Sequence, residues 1–68
     1  MRRYVAIVRG HLCGTPLAMY DGTEFVRFDS TRPGELVPGK GRCFDCVFQG
    51  RAVRIWQMYA VDRWYVEE

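Results

Sequence analysis

The sequence predicts a mostly β domain, a small five- or six-stranded antiparallel barrel of the SH3-like or OB-like type. Three observations lead there. β-Branched and aromatic residues recur in short runs, Gly, Pro and Asp punctuate those runs closely, and no stretch carries the spacing of an amphipathic helix. Closing a small sheet removes its unpaired edges, so a barrel is the economical arrangement for such strands. A long connection after the first hairpin and a short turn before the last strand favour the SH3-like form. A two-layer α+β form is the alternative, should 31–40 or 57–63 be helical.

Residues 3–9 (Arg-Tyr-Val-Ala-Ile-Val-Arg) read as the first strand. The basic start followed by apolar residues resembles the front of a signal peptide, but Arg9 ends the apolar run after five residues. A signal core needs roughly 7–15. His11 to Pro16 reads as a loop. Asp21-Gly22 separates Leu17–Tyr20 from Thr23–Phe28 and is a strong hairpin signal, because a type I′ turn needs positive φ at both central residues. Residues 29–41, with Pro33-Gly34 and Pro38-Gly39-Lys40-Gly41, read as a long turn-rich loop.

Gln49-Gly50 is the expected turn of a second hairpin formed by 42–48 and 51–58. That turn sets Phe48 opposite Arg51, Cys46 opposite Val53 and Phe44 opposite Ile55. On the other face Asp45 meets Arg54 and Cys43 meets Trp56. One register thus yields an apolar ladder and an opposite-charge pair, and a slip of one residue would lose both. Residues 59–62 suit a single helical turn, and 63–67 a closing strand. If the first and last strands pair antiparallel, Arg2 and Arg3 approach Glu67 and Glu68.

Sixty-eight residues make a single domain, 1–68. A chain of this size buries only about 60% of the surface its unfolded form exposes, so its stability margin is thin. Apolar residues at 49% and aromatics at 15% are too rich for disorder. No window approaches the ~20 apolar residues of a membrane helix. Three cysteines, an odd number, argue against a secreted disulfide framework and for a reducing cytoplasm. Net charge is only +2, but nine of the ten cations are Arg, the better fork for phosphate and carboxylate.

His11, Cys13, Cys43 and Cys46 are four possible zinc ligands, a Cys₃His set. One residue between His11 and Cys13 is short for a ligand pair, and the hairpin register points Cys43 and Cys46 to opposite faces. No metal or other cofactor is therefore expected. The Cys43-Phe44-Asp45-Cys46 motif lacks the βαβ setting of a redox dithiol. Ser30 is the one serine and His11 the one histidine, no complete nucleophilic constellation is visible, and the protein is expected not to be an enzyme.

Binding remains. Trp, Tyr and Arg, the residues that dominate interface energetics, number two, four and nine. The expected function is therefore protein–protein contact, as an adaptor or inhibitor of a larger assembly or through a second copy. Nucleic acid is the competing partner, since small barrels stack bases on aromatic rings and track phosphates with cations. Either ligand would use the outward face of the second hairpin. The candidate binding residues are Arg54, Trp56 and Arg42, extended by Lys40 and Arg32, with Tyr20 and Arg27 from the first hairpin.

Overall fold

Alternation of apolar and polar residues along 41–58 gives two strands whose side chains divide between two faces, and the same rule builds the rest. The computed structural model describes residues 2–10, 14–58 and 63–68. It contains eight strands: β1 (Arg2–Val5), β2 (Ile7–Arg9), β3 (Pro16–Tyr20), β4 (Phe25–Arg27), β5 (Ser30–Val37), β6 (Gly41–Phe48), β7 (Arg51–Met58) and β8 (Arg63–Glu67). They form a five-stranded sheet in the order β1-β8-β7-β6-β5 and a three-stranded sheet in the order β2-β3-β4. Every pairing is antiparallel. Among the described residues there is no helix, hence none long and apolar enough to cross a membrane. The helical turn expected at 59–62 lies outside the described residues.

Eight strands rather than five or six arise because the first run divides between the two sheets and the segment 29–41 holds a strand of its own. Ala6 separates β1, in the larger sheet, from β2, in the smaller. Its carbonyl accepts the N–H of Tyr20, which ties the corner to β3. At the second corner Phe28 N–H donates to Leu17 of β3, and the next N–H, of Asp29, donates to Val47 of β6. Each corner therefore feeds both sheets, although neither sheet closes on itself.

The core lies between the sheets. Phe44, Cys46 and Phe48 of β6 face inward with Val53 and Ile55 of β7 and Trp64 and Val66 of β8. Met19 and Phe28 meet them from the other side, with Ile7 and Val26 packed at the margin. Burying one such side chain contributes roughly 1.5–3 kcal/mol. The β6–β7 register is the one the turn predicts, from Phe48–Arg51 through Asp45–Arg54 to Cys43–Trp56. Gln49 and Gly50 have φ of 52° and 78°, the positive pair a type I′ turn requires. β1 and β8 also pair as expected, with Arg2 opposite Glu67 and Arg3 Nη2 at 3.9 Å from Glu68 Oε2.

Two expectations need correction. The segment 29–41 is not a long loop: Ser30–Val37 is an edge strand, and only Pro38–Lys40 turns. An edge strand tolerates Pro33, whose missing donor costs least at the rim of a sheet. A register shift between Pro33 and Leu36 absorbs the Pro-Gly pair. Gly34 packs so tightly that a Cβ there would stand 2.9 Å from Cys43 Sγ. The first hairpin also lacks the two-residue Asp-Gly turn. Tyr20 pairs with Phe25, leaving a four-residue loop, 21–24. Asp21 organises that loop, its Oδ1 accepting the N–H groups of Thr23 and Glu24 at 2.8 and 2.9 Å. Those bonds, Glu24 first, pull the Asp21 carboxyl below its ordinary pKa.

Candidate functional site

The outward face of the five-stranded sheet carries two adjacent rows of side-chain positions. The first is charged. Arg32 pairs with Asp45, Asp45 with Arg54, Arg54 with Glu67, and Glu67 with Arg2. Sign alternates across the four strands from β5 to β8. Arg54 Nε lies 3.3 Å from Asp45 Oδ1, and that carboxylate raises the Arg54 pKa further above its ordinary value. Exposed pairs of this kind add little stability, but like charges across strands would subtract from it. Ser30, Arg32, Asp45, Ala52, Arg54 and Glu67 are among the residues lining an open concavity of about 1050 Å³ on this face.

The second row is aromatic: Cys43 pairs with Trp56, Trp56 with Tyr65, and Tyr65 with Tyr4. The rings of Trp56 and Tyr65 stack, 12° from parallel with centroids 6.2 Å apart. Tyr4 meets Tyr65 edge-on, and the Arg63 guanidinium lies 5.1 Å from the Tyr4 ring centroid. Trp56 is not the exposed indole the sequence suggests, for only 4% of it is accessible. Cys43 and Tyr65 are buried with it, and Val37 and Met58 pack against the group. Lys40 lies across it, with Nζ 4.3 Å from the centroid of the Trp56 ring.

The remaining candidates separate. Arg42 pairs with Leu36 and Gln57 and shares a strand face with Phe44 and Cys46, so it does not join Arg54. Arg32 does join Arg54. Tyr20 and Arg27 belong to the smaller sheet, where the register places both on its outward face with Val8, Ala18 and Phe25. Tyr20 and Phe25 meet edge-on with centroids 5.3 Å apart, and they are 40% and 51% exposed. Val8 beside them is 44% exposed.

Sequence reasoning missed Phe25, Val8, Tyr65 and Glu67. Phe25 and Val8 alternate like core residues, and only the sheet assignment shows which way they face. Tyr65 and Glu67 would follow from extending the hairpin register one strand further, to β8.

Of the zinc set, His11 and Cys13 lie outside the described residues. Cys43 and Cys46 belong to the two clusters on opposite faces of the sheet, so they do not chelate one ion. Among the described residues no three His, Cys, Asp or Glu groups are placed to hold a metal. Both thiols are free, and burial raises both pKa values, that of Cys46 to about 12. Thiolate is the reactive form, and a pKa near 12 leaves on the order of 10⁻⁴ of Cys46 ionised at pH 8. Peptide mapping after iodoacetamide treatment at pH 8 should show Cys46 protected in the folded protein and labelled in urea. The unfolded thiol ionises near 9, so this residue's contribution to stability should decline as pH rises from about 9 towards 12.

The chain matches no protein-family model, no curated protein and no solved structure at a significant level.

Proposed function

We propose that this chain is a small non-enzymatic module acting through protein–protein contact, as an adaptor or inhibitor of a larger assembly. Its contact surface is the outward face of β2-β3-β4. The observation that carries this reading is the Tyr20–Phe25 pair, paired edge-on across two strands yet 40% and 51% exposed, with Val8 and Arg27 on the same face. Trp64 and Phe44, by contrast, are spent on the interior. Aromatic rings with an Arg at the margin are the composition of an interface hot spot.

The same reading treats the two sheets as one SH3-like or OB-like barrel, supported by the corners at Ala6 and at Phe28–Asp29. Free thiols at Cys43 and Cys46 suit a reducing cytoplasm. Protein is favoured over nucleic acid because Lys40 covers Trp56 and the neighbouring charges alternate in sign. A phosphate backbone calls for cations of one sign and open stacking rings.

A photo-cross-linking phenylalanine analogue placed at Phe25 tests the proposal in cells making the protein. We expect a discrete protein adduct that Tyr20→Ser abolishes and nuclease leaves intact. An adduct of twice the chain mass identifies a second copy as the partner. A nuclease-sensitive adduct, or none from folded protein, rejects the protein-contact reading.

A further inference from the structure

We propose that Trp56, Tyr65 and Glu67 form a binding site for an alkylammonium group, the side chain of a lysine on a partner protein, and that Lys40 occupies it in cis. The site is separate from the β2-β3-β4 face and does not depend on it. Its receptor half is fixed by the sheet. β7 and β8 place Trp56 beside Tyr65, and their rings stack. Trp56 Nε1 donates to Glu67 Oε1 at 3.2 Å, which orients the carboxylate whatever lies above the ring.

The plug half is less constrained. Lys40 stands in the turn 38–40, where its N–H donates to Val37. Its ammonium reaches back to lie 4.3 Å from the Trp56 centroid and 3.7 Å from Glu67 Oε2. An aromatic face with a carboxylate beside it is the chemistry that selects a cation carried on an apolar stem.

Lys40 itself shows that the pocket accepts an ammonium at that height. Its side chain remains 31% exposed, so it stands in part open to solvent. The Trp56 group lies on the face of the sheet opposite the main core, so displacing Lys40 uncovers Trp56 without opening the core around Phe44 and Ile55. A lysine from a partner would make the same two contacts once Lys40 swings away. The competition is intramolecular, with a tethered concentration on the order of millimolar. Wild-type protein should therefore bind free lysine derivatives weakly and a variant without Lys40 more strongly.

The test follows the two indole N–H signals by NMR during titration with Nα-acetyl-lysine N-methylamide. In Lys40→Ala the Trp56 signal should shift with concentration while that of Trp64, in the main core, stays fixed. Wild type should need more probe for an equal shift, because the tethered Lys40 competes for the same two contacts. Adding Glu67→Gln to Lys40→Ala should remove the response. Should Lys40→Ala lose its dispersed amide spectrum, Lys40→Gln provides the same comparison. No Trp56 shift in a folded Lys40 variant overturns the proposal. So does an equal shift with the uncharged norleucine amide, which would mark a merely apolar surface, or tighter binding of the arginine amide, which would exclude an ammonium site.

Discussion

Gly41→Ala is expected to destabilise the protein by about 4 kcal/mol or more, the range reserved for a backbone or core that cannot adjust. Gly41 opens β6 at φ 116°, a conformation that residues with a side chain rarely adopt. A Cβ there would also overlap the carbonyl oxygen of Gln57 and come within 3.2 Å of Met58 Cα. Both obstacles are backbone of β7, so no side chain can turn aside. Gly39, two residues earlier at φ 81°, separates the two causes because its Cβ would meet nothing within 4 Å. Gly39→Ala should cost only the left-handed backbone term, about 1–2 kcal/mol. Urea unfolding of the two variants measures the difference. If Gly41→Ala unfolds within 1 kcal/mol of Gly39→Ala, allowing about 10–15% extrapolation error, the close approach of β6 to β7 at Gln57 is misplaced.

Why Gly41 could not be read from the sequence shows where such reading stops. The β6–β7 hairpin was legible because its evidence is local. Period-two alternation, an Asp45–Arg54 pair and a turn at Gln49-Gly50 all agree on one register, and the structure has it. The 29–41 segment misled for the opposite reason. Pro33-Gly34 is a turn signal only where the chain is free to turn, and pairing with β6 holds it extended with an irregularity instead. Trp56 was placed on the correct face of its strand but not at the correct depth. Beside its strand neighbour Met58, what buries it is the stacking of Tyr65 from β8, the packing of Val37 from β5 and the reach of Lys40 from a turn, and these three do not follow from the spacing of residues around Trp56. The division of the candidate residues between two sheets is likewise set by the corners at Ala6 and Phe28–Asp29. Those are ordinary residues by composition, and what marks them as corners is long-range bonding, of Ala6 and Phe28 to β3 and of Asp29 to β6.

Phe44→Ala should be the more damaging of two substitutions at adjacent positions, with Asp45→Asn nearly silent. Phe44 is 2% exposed, central on the inward face of β6, with its ring centroid 5.8 Å from that of Trp64. Its strand partners are Pro33 and Ile55, and Ile55 is fully buried. Truncating a core Phe to Ala costs about 3–5 kcal/mol, from lost burial plus the cavity left behind. A stability of 0.05–0.15 kcal/mol per residue gives 68 residues roughly 3–10 kcal/mol in total. The substitution therefore consumes a third of the margin at best and all of it at worst. Phe44→Leu, which refills most of the space, should recover the larger part. Asp45 one residue on points outward, half-exposed, to a solvated Arg54 partner, and neutralising it leaves the core untouched. Urea midpoints for the three variants order the two faces of β6 directly. If Phe44→Ala and Asp45→Asn shift the midpoint equally, or Asp45→Asn shifts it more, β6 has been assigned with its faces exchanged. Every outward position named on the five-stranded sheet, from Arg32 to Glu67, would then have to move with it.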